Sequence, residues 1–287
     1  MFNTEIYFST FIYILVLLIL IIQVLFNTIT RENISYKIRL LLLLLFGLIY
    51  NIIEGLLPDR HFPIDLLTQN IIAWSVGIIV AFYTFFYIKI EFNINIIRPL
   101  TITSLSYIIS ISFIFLFIVP YNYTKSLDTA RKLFLEIPLL TLILSIFSTC
   151  YKQYKEFENY NNLYLKIHTA CGIGGLLGVT SLPITILLFG DNQLIEQTFF
   201  SLGIFIMYID YLFLNQRNKV YENKINLGTL TKREKDVLDL ILNNPDKKHL
   251  ELSKKIFISE KTFSSHMSNI YKKLDVKGKK ELLDKYS

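Results

Sequence analysis

The sequence predicts an all-α protein in two parts, a polytopic seven-helix transmembrane bundle followed by a small four-helix soluble domain. Three observations predict it. The 287 residues are 53% hydrophobic and only 18% charged, with mean hydropathy +0.46, too apolar for a soluble chain of this length. Seven apolar blocks are each about as long as the ~20 residues a helix needs to cross a hydrocarbon core. The last fifth of the chain then turns basic and takes up helical periodicity.

The blocks run over residues 6–26, 38–57, 66–88, 97–119, 133–151, 163–189 and 194–214, giving a membrane domain over 1–215. The first lacks a basic leader and a small-residue cleavage site, so it reads as a retained span. Connections are short, which leaves no room for a soluble sensor domain outside. Gly172, Gly174, Gly175 and Gly178 in the sixth block suit close helix packing, and Pro183 a bend. As a phosphate loop this run fails, since no Lys-Ser/Thr follows. Cys150 and Cys171 fall in or beside apolar blocks and propose no disulfide framework. With four scattered histidines, neither metal nor cofactor is expected.

Polar groups inside apolar blocks are where sensing chemistry is sought. Glu54, Trp74 with Gln69, and Glu136 beside Pro138 fall near one membrane depth and are candidates to line an outward-facing pocket. His168 and Asp210 fall near the opposite ends of their blocks, where their pairing would give a switch close to the tail. The simpler reading of both groups is that they are ordinary interfacial residues.

Residues 216–229 show no apolar pattern and read as a linker, or as a helical continuation of the last span as far as Lys224. The soluble domain follows over 230–287. Thr231 with Glu234 forms a capping box that starts a helix. Val237, Leu238, Ile241 and Leu242 give its buried stripe, and Pro245 ends it. A second short helix carries Leu250, Leu252, Ile256 and Phe257 as its apolar residues. Ser259 caps a third, which buries Phe263, Met267, Ile270 and Leu274. Its other face carries Lys261, Thr262, Ser264, Ser265, Ser268, Asn269, Lys272 and Lys273: cations for phosphates and small polar groups for base edges. Lys279, Lys280, Leu282 and Leu283 predict a fourth helix.

This segment resembles the LuxR-type helix-turn-helix domain. The residues that carry the resemblance are Leu230, Thr231, Arg233, Glu234, Val237 and Leu238; Leu252, Ser253 and Ile256; Ile258, Ser259, Thr262, Phe263 and His266; then Ile270, Lys273, Leu274 and Val276. The resemblance implies that the third helix is the recognition helix and that the fourth supports dimer contacts. It departs from the family at Ser253, where alanine is preferred, and at Phe263, where valine is. Ser264, Ser265 and Ser268 stand where many members place lysines, and serine specifies bases weakly.

Charge agrees with a nucleic-acid partner. Residues 227–287 hold 14 Lys+Arg against 9 Asp+Glu, while the rest of the chain is nearly balanced. The same surplus also suits anionic lipid head groups. A DNA-reading tail is cytoplasmic, and seven spans then place the N-terminus outside. On that topology the inner segments carry eleven Lys and Arg and the outer ones four, as positive-inside orientation requires. Three of those four lie in the loop at 125–132, its weakest point.

The sequence contains no Ser-His-Asp constellation, Walker loop, kinase phosphoacceptor box or receiver domain, so no enzyme is expected. The expected function is a membrane-bound one-component transcription regulator of the bacterial cytoplasmic membrane. It would sense a small molecule or a membrane state and bind double-stranded DNA as a homodimer. A rival is a transporter or channel-like protein with a protein-binding tail. Transport predicts paired polar groups or broken helices at mid-bilayer, whereas these carboxylates cluster near helix ends and only the sixth block is glycine-broken. A third reading makes the membrane part a mere anchor for the DNA binder.

Overall fold

The computed structural model describes residues 6–28, 33–59, 61–94, 102–160, 162–190, 192–245 and 247–286, apart from the side chains at 102, 103, 105, 136–145, 147, 148, 222–226, 284 and 285. Among these residues every regular element is helical. The chain divides into two compact units, Met1–Phe213 and Leu214–Ser287.

The first unit comprises α1 (Phe8–Thr28), α2 (Ile34–Leu56), α3 (Leu66–Phe92), α4 (Ile102–Ser112), a π-helical stretch (Phe113–Ile118), α5 (Val119–Thr124), α6 (Leu127–Asn159), α7 (Leu163–Phe189) and α8 (Gln193–Leu212). Asp65, Ser126, Asn162 and Asn192 cap α3, α6, α7 and α8, each accepting a backbone N–H from the first turn.

The α7–α8 pair is the most extensive in the unit, and the glycine run explains it. A β-carbon on Gly178 would fall 2.5 Å from the Gly203 Cα, so the two backbones touch where neither has a side chain. Gly174 and Gly175 instead receive the side chains of Ile206 and Met207. Polar side chains stitch other helices. Asn51 donates to Ser201 Oγ at 3.2 Å, Gln197 donates to the Asn51 carbonyl at 3.4 Å, and Thr10 donates to Gln197 Oε1. These bonds tie α1, α2 and α8 together inside the bundle.

The outside of this unit inverts the pattern of a water-soluble protein. On α1 the exposed positions include Phe8, Ile12, Leu15, Ile19, Ile22 and Phe26. Among the described residues five helical runs are long and apolar enough to cross a membrane: Phe8–Thr28, Ile34–Leu56, Leu66–Phe92, Ser106–Thr124 and Leu163–Phe189. Gln193–Leu212 and Leu214–Tyr221 pass the same test together and make a sixth if the bent pair is one span. The expected block at 133–151 lies on α6, where most of the side chains are outside the described residues.

The second unit holds α9 (Leu214–Gly228), α10 (Lys232–Leu242), α11 (His249–Lys255), α12 (Glu260–Leu274) and α13 (Lys279–Tyr286). The expected linker at 216–229 is therefore almost wholly helix, and it is a new helix. The chain leaves helical geometry at Phe213, whose φ is −102° and ψ 8°. Leu227, near the end of α9, packs on the core of the second unit. That core joins Val237, Leu238 and Ile241 of α10 to Leu252 of α11, to Phe263, Met267, Ile270 and Leu274 of α12 and to Leu282 of α13. α10 and α12 pack on the apolar stripes expected of them, whereas α11 buries Leu252 and leaves Leu250 exposed.

Candidate nucleic-acid interface

Caps and a cross-helix hydrogen bond set α12 in place. Thr231 and Glu234 form the capping box: the Thr231 N–H donates to Glu234 Oε2 at 2.7 Å, and the Glu234 N–H to Thr231 Oγ1 at 3.3 Å. Ser259 caps α12 by accepting the Thr262 N–H at 3.1 Å, with the Thr262 hydroxyl 2.8 Å from its own. Arg233 donates to the Ile256 carbonyl at the end of α11, at 3.3 Å. Lys254 and Lys255 occupy the last turn of α11, where cations complement the helix dipole.

The buried and exposed faces of α12 separate cleanly. Lys261, Thr262, Ser264, Ser265, Ser268, Asn269, Lys272 and Lys273 are all exposed, as is Ser259. Three of these have prior engagements. Ser259 and Thr262 spend hydroxyl capacity on each other, and Lys273 donates to Glu234 Oε2 at 2.7 Å. Glu234 is 3% exposed, so it needs that partner. The hydrogen bond from Lys273, with that from the Thr231 N–H, holds its pKa down at about 2. Lys273 thus locks α12 to the start of α10.

Phe257 corrects the sequence reading. It stands 96% exposed with φ at 56°, in the turn between α11 and α12, and takes no part in the core. A short apolar run at a helix end gives no sign of where the helix stops. Ser253, where the family prefers alanine, is 2% exposed and donates to the Leu250 carbonyl at 3.0 Å, so its hydroxyl is satisfied within its own helix.

In the first unit the candidate polar residues divide. Glu54 and Trp74 line two adjoining cavities of about 130 and 230 Å³. Tyr50 and Glu196 line both as well. Glu196 was not among the residues singled out, although a carboxylate near a block end is the signal that marked Glu54. Gln69 does not join them: its amide donates to the Asp59 and Ile64 carbonyls and its oxygen accepts the Asp59 N–H, clipping the α2–α3 loop. The Glu136 side chain lies outside the described residues.

His168 and Asp210 do meet. His168 Nδ1 lies 2.9 Å from Asp210 Oδ1, and the Tyr36 hydroxyl donates to Asp210 Oδ2 at 3.1 Å. Asp210 is 1% exposed and His168 stacks on Phe92 at 4.8 Å between ring centroids. Asp210 is buried and His168 half-buried where α2, α3, α7 and α8 meet.

A short α11, a tight turn and a longer α12 with one polar exposed face define a helix-turn-helix DNA-binding domain. The family model for bacterial regulatory proteins of the luxR family matches residues 228–285. Spore germination protein GerE of Bacillus subtilis is 46% identical over 52 residues, 18% of this chain and 68% of GerE. YhcZ of the same organism, described as an uncharacterized transcriptional regulatory protein, is 39% identical over 66 residues, 23% of this chain and 30% of that protein. The chain belongs to the LuxR family of bacterial regulatory proteins and carries that family's DNA-binding domain at its C-terminal end. No solved structure gives a significant match to it.

Proposed function

We propose that the protein is a one-component transcription regulator held in the bacterial cytoplasmic membrane. Its first unit crosses the bilayer seven times and senses, and its second unit binds double-stranded DNA in the cytoplasm. One observation carries this reading: a helical unit whose outer surface is apolar is continuous with a LuxR-family domain whose outer face is polar and basic. Counting α6 and α8 as spans brings the total to seven and leaves the N-terminus outside, as the loop charges favour. The domain limits become 1–213 for the sensor and 214–287 for the DNA reader, with α9 as a structured connector.

The DNA-contacting set is Lys261, Thr262, Ser264, Ser265, Ser268, Asn269 and Lys272. Ser259 serves it as the cap and Lys273 as an internal tie. Two copies would pair on a two-fold site, because half-site geometry rewards a symmetric dimer. A signal at the Glu54–Trp74 cavities or at the His168–Asp210 pair would favour one of two bundle packings. Movement of α8 would then change the spacing of the two DNA-binding units.

The test is capture and sequencing of genomic DNA on the full chain in nanodiscs, repeated at several salt concentrations. Enrichment of a few promoters, with affinity falling steeply as salt rises, is expected. Uniform or absent binding would leave the second unit as a protein-binding tail.

A further inference from the structure

The two cavities that meet at Glu54 and Glu196 have a chemistry of their own. Tyr50, Glu54, Trp74 and Glu196 line both. Glu196 is 7% exposed, and its Oε1 is buried with no hydrogen-bond donor facing it. Gln193, which lines the larger cavity, also has a buried Oε1 with no donor, because its amide nitrogen is spent on the Glu54 carbonyl at 2.8 Å. Glu54 lies over Gly77 of α3, where no side chain fills the space. The site thus holds two buried acceptor oxygens that no donor of the protein meets. Its two carboxylates lie within electrostatic range of each other. Arg131 is in range of Glu196 and offsets part of one charge. The walls of the smaller cavity are aromatic, with Tyr50, Trp74, Phe82, Phe85 and Phe134.

Two carboxyl groups inside an apolar aromatic wall define a class of ligand, because a cation is what would favour their charged form there. Neutral and anionic molecules would leave the carboxylates without a counter-charge in a low-dielectric site. A metal ion would want several oxygens on one centre and would gain nothing from the rings. A cation with an apolar body satisfies both, with its charge against the carboxylates and its carbon against the rings. We propose that these cavities bind an organic cation, an ammonium group carried on a small apolar body. The proposal rests on the reading of this unit as the sensor and names what it senses. The ammonium can come from a soluble amine or from the head group of an ethanolamine lipid.

The test uses the full chain in phosphatidylglycerol nanodiscs, with Trp74, the protein's one tryptophan, as a fluorescent reporter inside the site. The probe is benzyltrimethylammonium. The comparator is neopentylbenzene, the same shape with carbon in place of the charged nitrogen. The cation is expected to bind about tenfold or more tighter than the comparator. Glu54→Gln and Glu196→Gln are each expected to weaken it about tenfold. Equal binding of the two probes to the unaltered protein overturns the proposal. So does undiminished cation binding in both variants when they are monodisperse and bind DNA as the parent does.

Promoter affinity measured with and without the probe separates this proposal from the sensor reading. Cation binding that leaves DNA affinity unmoved sinks the sensor reading and upholds the ligand class. A DNA response to neopentylbenzene alone sinks the ligand class. Exchanging an uncharged glycolipid for phosphatidylethanolamine at constant phosphatidylglycerol content, and so at constant surface charge, identifies the source. A fall in apparent probe affinity marks a competing lipid head group and unchanged affinity a soluble amine; both uphold the class.

Discussion

Glu234 sits at the start of α10, and Lys273 reaches it from near the end of α12, 39 residues on. The folded-state pKa of Glu234 is about 2, below its ordinary 4.5. A carboxylate so depressed lends stability that is fully present above about pH 4.5, and loses it as pH falls toward about 2. Urea unfolding of the 214–287 unit at a series of acid pH values is expected to show that decline, and Glu234→Gln to flatten it. Neighbouring lysines on α12 are expected to differ in kind. Lys273→Ala lowers stability by about 1 kcal/mol, since the pair is partly exposed. Lys272→Ala leaves stability unchanged and reduces the salt slope of DNA binding by about 1. Equal effects of the two on binding and none on stability would make Lys273 a DNA contact after all. At the turn, Phe257 occupies left-handed backbone that costs a bulky residue about 1–2 kcal/mol. Phe257→Asn should therefore raise the unfolding midpoint, with DNA affinity as the control on the fold.

Helix pairs set the next scale. The α7–α8 contact depends on two glycines meeting backbone to backbone, which no side-chain rearrangement can relieve. Gly178→Ala is expected to force the helices apart and destabilise the first unit by about 1–3 kcal/mol, read as a lower thermal midpoint in detergent. Gly228→Ala, where a β-carbon meets nothing within 4 Å, is the matched control and should leave that midpoint in place. A Gly178→Ala protein as stable as the parent would show that the glycine run does not govern packing. On the other side of the break at Phe213, α9 is a helix whose Leu227 is anchored in the second unit's core. A helix passes on rotation and displacement where a coil would absorb them.

For the whole molecule the question is whether the two units are coupled. If α9 transmits the state of the bundle, removing four residues at 218–221 turns its far end by about 40°, since an α-helix has about 3.6 residues per turn. The signal response of a promoter reporter should then change, while DNA binding by the isolated 214–287 unit keeps its affinity. A response indifferent to the deletion would leave the bundle as an anchor. Coupling also requires a dimer, so promoter affinity is expected to rise with protein density in the membrane.

The sequence by itself determined the class of each half. Composition and block length are properties of the chain before it folds, so the apolar helices were legible without a structure. So was the second unit, because capping box, stripe and stop signals act within a few residues of one another. Apart from His168 with Asp210, tertiary structure alone decided which distant polar groups meet. Glu234 with Lys273, Tyr36 with Asp210, and Glu196 with Glu54 are brought together by helix packing across 39, 174 and 142 positions. Periodicity assigns a residue to a face of its own helix and says nothing of the helix opposite. The same limit explains Phe257: an apolar residue at a helix end is core or surface according to where the next helix turns, and that is set by packing on the other side of the chain.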